Sequence, residues 1–482
     1  MAHDLFHLVK RGFEIDPAAS AVITQHGQSV SYARLQQTIT AFAFKLLDAG
    51  LATGRHVAVD IQNPAARLAL ILAISRIGCV YVAGAGPAAV VSNGVSLDAV
   101  VTDRVRPPGD IKELLFDQTW SADNGPAAER DLPGYSDDTA AAMILGSSGT
   151  TGMPKFMAFT PAMVAQRLDD KDHLHGSEQL KRLVTVLPVA ALGVELALQS
   201  LRSGGTLAWP VNSADETLQF VSEHQFEEVF TTPVLIGELA HAQANSGHDL
   251  SRLSRIYMAG SGISPTRAKL ARDALETRVF HLFGASETGS CTMIELTDDG
   301  PGPGVVGKPM PWLKVNILDE ANQLVRAGET GRVSIAAGDE RAVRAYLGHD
   351  DGSTLQDDWF FTGDLGFINE HGELVISGRV SEVINTGGNK IAPETVETLA
   401  ETVAGVVAAG AVGIPNAEGF DDIGLAVITG DRFIEADLIK RLQHGLAGTI
   451  EIKLKKLGNL PTNAGGKLDR SRLVKAITKK GI

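Results

Sequence analysis

Along the first 300 residues, short apolar runs alternate with stretches of helical character. Tyr32–Ala49 has helical spacing and ends at Gly50, a common helix C-cap, and Ala65–Ile77 reads as an apolar helix. Six apolar runs are typical of buried strands, at 56–61, 79–84, 183–188, 205–210, 228–233 and 255–260. This alternation predicts parallel sheets covered by helices, with binding sites at the strand ends.

The pattern changes after Gly304, where polar turns separate short apolar segments. The segments at 313–325, 331–336 and 366–378 look like hairpins and predict a β-rich subdomain over about 304–378. The remaining pattern predicts a strand after Arg379, a helix that starts at Pro393, strands at 405–414 and 423–429, and a helix at 434–447.

These patterns predict an α/β protein with two domains. The expected N-terminal domain, residues 1–378, consists of sheets layered with helices plus the β-rich subdomain. The expected C-terminal domain, residues 379–482, is a small α/β unit that joins the first domain near Gly378–Ser381. A chain of 482 residues, 44% hydrophobic and 21% charged, is long and apolar enough to fill such cores.

Charge and cysteine content narrow the classes of function. The net charge of −14 argues against non-specific binding to nucleic acid or to a membrane surface. The two cysteines, Cys79 and Cys291, cannot form a disulfide framework or a cysteine-rich metal site, and they fit a reducing cytoplasm. We therefore expect a cytoplasmic protein.

No segment of the sequence predicts export or membrane insertion. The N-terminus has scattered charges and lacks the apolar region of a secretory signal. The longest uncharged run, Ile77–Leu97, is interrupted by several glycines and by Pro87. We expect buried strands and turns there, and no membrane span.

The run GSSGTTGMPK at 146–155 has the composition of a phosphate-binding loop. Glycines let the backbone approach anionic oxygens, hydroxyl side chains add donors, and Lys155 can add a positive charge. A Walker loop is excluded because two residues separate Gly152 from the lysine and Phe156 replaces the metal-binding hydroxyl. Taken by itself, a flexible Gly/Ser/Thr loop remains an alternative.

Five motifs stand in the order found in the adenylate-forming (AMP-binding) superfamily, which the chain resembles over roughly residues 20–475. They are SSGTTGMPK (147–155), FGASETG (283–289), FTGDLG (361–366), SGRVSEVINTGGNKIAPETVE (377–397) and LPTNAGGKLDR (460–470). The superfamily includes acyl- and aryl-CoA synthetases and stand-alone adenylation enzymes. The resemblance implies conversion of a carboxylic acid and ATP to an acyl adenylate and pyrophosphate.

The resemblance assigns nucleotide-binding roles to individual residues. Those expected at the phosphates of ATP are Ser147, Ser148, Gly149, Thr150, Thr151, Gly152 and Lys155. It places the ring of Phe283 on adenine, Asp364 on the ribose hydroxyls and Arg379 near the ribose and α-phosphate, and it adds Ser286 to the nucleotide site.

Two residues are implied to act in the chemistry. Glu287 matches the family's metal-binding glutamate, and Mg²⁺ is the expected hard cation for phosphates. Lys467 matches the lysine that contacts the reacting carboxylate and the α-phosphate. Taken singly, these residues also fit ordinary roles: a solvated loop acid and one lysine of a basic tail.

The resemblance also implies a mobile C-terminal domain that rotates after adenylation and brings a thiol channel to the acyl adenylate. The hinge position is Ser381, where relatives commonly carry Asp or Lys. Gly387 and Gly388 match a glycine pair that lets pantetheine pass the backbone, which favours a thioester-forming second step.

The pocket for the acid is expected around Ala190, Ala191, Gly260 and Ser261. Many acyl-CoA synthetases carry a histidine or an aromatic residue where the two alanines stand, so the alanines either leave room for a bulky acyl or aryl group or pack against the sheet. The Phe-Asp pair of amino-acid-activating members is missing, although Glu195 lies nearby in the sequence. An acid without an α-amino group is favoured.

The leading hypothesis is an ATP- and Mg²⁺-dependent acid–thiol ligase that uses CoA as the acceptor. One alternative transfers the acyl group to the pantetheine of an acyl carrier protein. Another is a nucleotide-binding relative that has lost catalysis, although such a protein is expected to lack Glu287 or Lys467. The identity of the acid and the oligomeric state are left open.

Overall fold

The computed structural model describes most of the chain as helices and strands in five sheets. The described residues are 4–84, 86–104, 110–120, 132–135, 137, 139–147, 155–210, 212–298, 300–338, 340–348, 352, 354–386, 390–416, 418–446, 451–462 and 467–479. The helices are α1 (Leu5–Ile15), α2 (Tyr32–Asp48), α3 (Pro64–Arg76), α4 (Pro87–Ser92), α5 (Pro161–His175), α6 (Ala191–Arg202), α7 (Ala214–His224), α8 (Pro233–Ser246), α9 (Pro265–Leu275), α10 (Pro393–Glu401), α11 (Glu435–Gly445) and α12 (Arg470–Thr478).

Strands make up the rest of the regular structure. They are β1 (Ser20–Ile23), β2 (Ser29–Ser31), β3 (His56–Asp60), β4 (Val80–Ala83), β5 (Ala99–Thr102), β6 (Lys112–Leu115), β7 (Met143–Ser147), β8 (Lys155–Phe159), β9 (Lys181–Val184), β10 (Thr206–Ala208), β11 (Glu228–Thr231), β12 (Arg255–Ala259), β13 (Arg278–Ala285), β14 (Gly289–Leu296), β15 (Val305–Gly307), β16 (Lys314–Leu318), β17 (Gly331–Ala336), β18 (Tyr346–Leu347), β19 (Leu355–Gln356), β20 (Trp359–Ile368), β21 (Leu374–Arg379), β22 (Ile384–Asn385), β23 (Lys390–Ile391), β24 (Val406–Pro415), β25 (Asp421–Thr429) and β26 (Ile452–Lys456).

Two large mixed sheets carry most of the first 300 residues. One has the strand order β18-β8-β7-β4-β3-β5-β6, and the other has the order β14-β13-β12-β11-β9-β10-β1-β2. The central strands of both are parallel, as the alternating pattern predicted. Side chains of both sheets share one apolar core with α1, α2, α3 and α6, and Leu68–Ile74 of α3 are buried all round.

Local sequence sets where the helices next to the strand ends begin. Thr160, Thr232 and Ser264 are the N-caps of α5, α8 and α9, and each side chain accepts a hydrogen bond from a backbone N–H of the first turn. A proline follows each cap, at the helical position where its missing N–H costs nothing. The loops that enter these helices are therefore short and held in place.

Two details of the predicted elements are wrong. The strand expected over 183–188 ends at Val184: the N–H of Thr185 still bonds the carbonyl of Phe230, but the chain then turns toward Pro188, which has no N–H to donate. The run Ile77–Leu97 contains β4 followed by the short helix α4, where strands and turns were expected, because Pro87 starts a helical turn.

An antiparallel sheet follows, in the region predicted to be β-rich. Its strand order is β15-β21-β20-β17-β16, and β19 pairs with β20. The last large unit is the sheet β24-β25-β26, in which alternate side chains serve two apolar clusters. Helices α10 and α11 pack on one face of this sheet and α12 packs on the other. No helix among the described residues combines the length and the apolar character needed to cross a membrane.

Candidate functional site

The predicted residues Asp364 and Arg379 form an ion pair on adjacent strands. They lie directly opposite each other on β20 and β21, and Nε of Arg379 donates to Oδ1 of Asp364 at 2.9 Å. The carboxyl is 5% exposed, and its burial raises the pKa of Asp364 although the nearby guanidinium opposes the rise. Asp364 thus lies within strand β20.

Glu287 lies in the tight connection between β13 and β14 and is buried. Its Oε1 accepts a hydrogen bond from the hydroxyl of Tyr346 at 2.7 Å. The ammonium of Lys155 lies 4.7 Å from the centre of the Tyr346 ring and donates to Oγ1 of Thr354 at 2.8 Å. Tyr346 therefore links the predicted metal-binding acid to the predicted phosphate-binding lysine.

Lys467 comes from the C-terminal part of the chain and lies close to Gly260 and to the charged residues described above. A Cβ on Gly260 would lie 3.2 Å from Cε of Lys467, so the lysine passes closely over this glycine, whose φ of +113° also favours glycine. Burial and the positive charge of Arg379 lower the pKa of Lys467, while Glu287 and Asp364 oppose the change. The structure thus brings together Lys467, Glu287, Asp364 and Arg379, which lie far apart in sequence.

Arg470 ties the lysine segment to the residues that follow the predicted hinge. Its guanidinium contacts three carboxylates, at 2.6 Å on Glu382, 2.9 Å on Glu394 and 2.7 Å on Glu397. Ser381 itself is an exposed turn residue next to Val380, which is also exposed. These ion pairs therefore hold the segment that carries Lys467 and the segment just beyond Ser381 together in one unit.

A second set of contacts joins this unit to the rest of the molecule. The carboxylate of Glu401, at the end of α10, pairs with the guanidinium of Arg267 and accepts a hydrogen bond from the hydroxyl of Ser264, both at the start of α9. The N–H of Ala409 also donates to it, at 3.2 Å. Because Ser264 is the N-cap of α9, the negative charge lies at the favourable end of that helix dipole.

The other predicted residues are placed less uniformly. Ser261 is exposed beside Gly260, and its carbonyl lies 3.0 Å from Nε2 of His281. Ala190 is the N-cap of α6, and Ala191 is buried in the apolar core. Phe283 is half-buried against the apolar core of the antiparallel sheet.

Part of the predicted site lies outside the described residues. These positions are Ser148, Gly149, Thr150, Thr151, Gly152, Gly387 and Gly388. The backbone of Ser147, the last residue of β7, pairs with that of Lys155, the first residue of β8, so the phosphate-binding run connects two antiparallel strands. The side chain of Ser147 is not described.

Glu195, the acid that lies near the position of the missing Phe-Asp pair, belongs to a buried ion cluster. Its carboxylate lies 3.1 Å from Nη1 of Arg167 and 2.9 Å from Nζ of Lys171, and all three side chains are buried. Burial opposes ionisation, but the two cations together hold the pKa of Glu195 below its ordinary value. Its charge is therefore already matched, and none is left to neutralise the ammonium of an amino-acid substrate.

Several of these partners were missed from sequence. Tyr346, Thr354, Arg167, Arg267 and Glu401 belong to no motif, and each meets its partner through pairing or packing between distant segments. The local signal is the spacing of three basic residues on α5, Arg167, Lys171 and His175, which recur every fourth position and are buried in the structure. Sequence alone reads such a pattern as a solvated helix face.

The donor set fits a magnesium ion that is held mainly by phosphates. Among the described residues, no group of three or more His, Cys, Asp or Glu side chains could hold a metal by itself. Mg²⁺ in nucleotide sites needs only one or two carboxylates, because phosphates and water supply the other oxygens. The buried carboxylate of Glu287, with Oε1 held by Tyr346, meets that requirement.

Comparisons with known proteins find relatives along most of the chain. The model of the AMP-binding enzyme family matches residues 10–346. The 3-hydroxybenzoate–CoA ligase of Aromatoleum sp. (strain CIB) is 25% identical over 68% of this chain and 64% of its own, so the match spans less than two thirds of that relative. The 4-chlorobenzoate–CoA ligase of Arthrobacter sp. is 24% identical over 97% of this chain and 94% of its own.

Solved structures share the fold. The amide bond synthetase McbA from Marinactinospora thermotolerans has a TM-score of 0.79 and 23% identity, over 98% of this chain and 99% of that one. Other structures with this fold contain ATP, in one case together with a magnesium ion. The α/β fold class predicted from the sequence is confirmed.

We expect Glu401→Ala to loosen the contact between α9 and α10. The substitution leaves the guanidinium of Arg267 buried without its carboxylate, which should cost about 3–5 kcal/mol in the free energy of unfolding. Urea unfolding, and the rate of proteolysis at the Val380–Ser381 turn, measure the effect. Asp273→Ala removes an exposed ion pair of α9 and is the matched control; an equal effect of both variants would contradict the prediction.

Proposed function

The chain belongs to the AMP-binding enzyme family, and we propose that it activates a carboxylic acid with ATP and passes the acyl group to the thiol of CoA. The family match confirms two predictions from the five motifs: the chain belongs to this family, and the protein is an enzyme. Two relatives named as aryl-acid–CoA ligases support the acid and the acceptor. We take residues 1–378 and 379–482 as the two domains and place the reaction in the cytoplasm, where the free Cys79 and Cys291 stay reduced.

The observation that carries the proposal is the position of Lys467. Its side chain lies against Gly260 and within electrostatic reach of Glu287, Asp364 and Arg379, although it belongs to the last residues of the chain. Such a cluster of opposite charges is suited to a reaction in which negative charge develops on several oxygens. A purely structural role gives no reason for a lysine to be drawn into this cleft.

In the first step, a carboxylate oxygen of the acid attacks the α-phosphorus of ATP. The new bond joins that oxygen to phosphorus, the bond to the bridging oxygen of pyrophosphate breaks, and pyrophosphate leaves with the bonding electrons. The ammonium of Lys467 approaches both reacting groups and stabilises the charge on their oxygens. Arg379, which is always protonated, supports the same charge from β21.

The remaining residues hold ATP. In this proposal the carboxylate of Asp364 accepts hydrogen bonds from the ribose hydroxyls, the exposed part of the Phe283 ring lies on adenine, and Lys155 and the 147–152 run contact the β- and γ-phosphates. Ser286 lies beside them, just before Glu287. Glu287 would hold Mg²⁺, which supplies charge neutralisation to the phosphates when bound.

In the second step, the sulfur of CoA attacks the carbonyl carbon of the acyl adenylate. The carbon–sulfur bond forms, the carbon–oxygen bond to AMP breaks, and the thiol proton passes to solvent. We place the hinge at Ser381 and the thiol path at Gly387 and Gly388. Because Arg470 ties Lys467 to residues just beyond the hinge, rotation there removes the lysine from the cleft as a unit with its domain.

An aromatic acid without an α-amino group is the substrate class we favour. Relatives with named aromatic substrates support an aromatic ring in the acid. The neutralised charge of Glu195 supports an acid without an α-ammonium group. The acid would lie near Ala190, Gly260 and Ser261. An acyl carrier protein or an amine is the alternative acceptor, the latter because a neighbour with the same fold is an amide bond synthetase. A non-catalytic role conflicts with the presence of both Glu287 and Lys467.

Pyrophosphate release tests the function directly. The assay contains ATP and Mg²⁺ with hydroxybenzoic, chlorobenzoic, fatty or amino acids, each with and without CoA. We expect release that depends on an aromatic acid and is accelerated by CoA, with a thioester as product. Release without acceleration by CoA would transfer the proposal to a carrier protein or an amine, and silence with every acid, despite bound ATP, would favour the non-catalytic alternative.

Lys467→Ala should reduce acyl-adenylate formation by about 100-fold or more, because the variant loses a positive charge aimed at the reacting oxygens. ATP binding should stay largely intact, since other residues contact the base, ribose and terminal phosphates. Single-turnover formation of acyl-AMP and calorimetric titration with ATP measure the two effects. Lys475→Ala, an exposed lysine of the same basic segment, is the control and should behave like the parent protein. Normal acyl-AMP formation by Lys467→Ala would refute the assignment.

The rate of adenylation should fall at a lower alkaline pH than expected for a lysine with an ordinary pKa. The ammonium of Lys467 is present below its pKa and lost above it, and burial together with Arg379 lowers that pKa. Arg379→Gln should therefore move the alkaline midpoint of the pH–rate profile upward at saturating ATP. An unchanged midpoint would contradict the prediction, and circular dichroism at each pH checks that the fold persists.

A further inference from the structure

The guanidinium of Arg167, on α5, is 2% exposed and makes five hydrogen bonds. Nε and Nη2 donate to the carbonyl of Arg341 at 2.9 and 2.6 Å, and Nη1 donates to Oε1 of Glu195 at 3.1 Å. The other two bonds go to the carbonyls of Ser286 at 3.0 Å and Glu287 at 3.1 Å. A guanidinium has five N–H donors, so none of them is left over.

Two of these acceptors are backbone carbonyls: that of Glu287, the predicted metal-binding residue, and that of Ser286, which precedes it. The planar guanidinium donates to two consecutive carbonyls and so fixes the orientation of the peptide group between Ser286 and Glu287. It therefore also fixes the direction in which the Glu287 side chain leaves the backbone. The N–H of Val343 bonds the carbonyl of Glu287 from the same side, at 2.8 Å. The side chain of Glu287 then meets Tyr346, three residues beyond Val343, so both ends of this residue are held.

Neighbouring charged side chains hold the guanidinium of Arg167 in place. Glu195 on α6 accepts from Arg167 with one oxygen and from Lys171 with the other, so the buried carboxylate lies between two cations. The ring of Phe159 lies 5.1 Å from the guanidinium carbon and covers one of its faces. Removing one member of a buried charge group leaves the others unpaired, so the group resists rearrangement.

We propose that Arg167 is a positioning residue that aims the Glu287 carboxylate at the metal of Mg²⁺–ATP, and that Glu195 and Lys171 hold Arg167 in that position. The inference rests on the proposed function, because it requires Glu287 to engage the metal. Arg167 acts through Glu287, because its five N–H donors are already taken by protein acceptors. Partners of this kind around metal-binding carboxylates typically account for 10–100-fold in affinity.

The matched control is Arg182 on β9. Its side chain is fully buried and pairs with Glu228 on β11, a carboxylate that Arg255 also approaches at 3.7 Å. Both arginines thus belong to a group of two cations and one carboxylate, but none of the described contacts of Arg182 reaches the 285–289 connection. Replacing either arginine by lysine keeps the charge and removes the fork.

The test compares the affinity for ATP with and without Mg²⁺, measured by calorimetric titration in magnesium and in EDTA. Arg167→Lys should bind metal-free ATP like the parent protein and lose about tenfold or more of the gain in affinity that Mg²⁺ provides. Arg182→Lys should lower the melting temperature and leave that gain unchanged. A full magnesium gain in Arg167→Lys, or equal losses in both variants, would overturn the proposal.

Two further variants separate the possible failures. Glu287→Gln should abolish the gain from Mg²⁺; if it does not, the role of Glu287 is wrong and this inference falls with it. If Glu287→Gln loses the gain and Arg167→Lys keeps it, only the positioning role is wrong. Glu195→Gln keeps an acceptor for Arg167 and removes the charge, so it tests the same group should Arg167→Lys not fold, and an intact magnesium gain in it would count against the proposal.

Discussion

The buried guanidinium of Arg167 joins four separate pieces of the chain, and the geometry of the cleft depends on it. It holds α5, α6, the connection between β13 and β14, and the segment just before β18 in one arrangement. Tyr346 at the start of β18 then reaches Glu287, and Lys155 lies over the Tyr346 ring. A single cation can organise so many segments because its five N–H donors are shared among acceptors on different parts of the chain.

A separate set of contacts joins the C-terminal unit to the rest of the molecule. Glu401 meets Arg267 and Ser264 across the junction, and Lys467 passes over Gly260, so the lysine and the ion pair belong to one orientation of that unit. The rotation that we propose at Ser381 would break both contacts. Arg470, in contrast, has its carboxylate partners within the unit, so the proposed rotation would leave these ion pairs intact.

Much of this architecture could be predicted from the sequence, and the exceptions have physical causes. The helices at 32–48 and 64–76 and the central strands follow from periodicity and caps, which depend on neighbouring residues. The strand predicted over 183–188 is longer than the observed one, which ends at Val184, because strand propensity does not show where the chain turns before a proline. Ala191 belongs to the core, and Glu195 belongs to a buried ion cluster, because packing of α6 decides both.

The sequence by itself determined the order of the five motifs, the family and the chemical type of each candidate residue, since motifs are local strings whose glycines, hydroxyls and charges act over a few positions. Only the tertiary structure decided which of these residues meet. Arg167 lies 28 residues from Glu195 and 120 residues from Glu287, and Lys155 lies 199 residues from Thr354. Such pairs form because packed helices and paired strands bring distant segments within hydrogen-bond distance, and no local pattern carries that information.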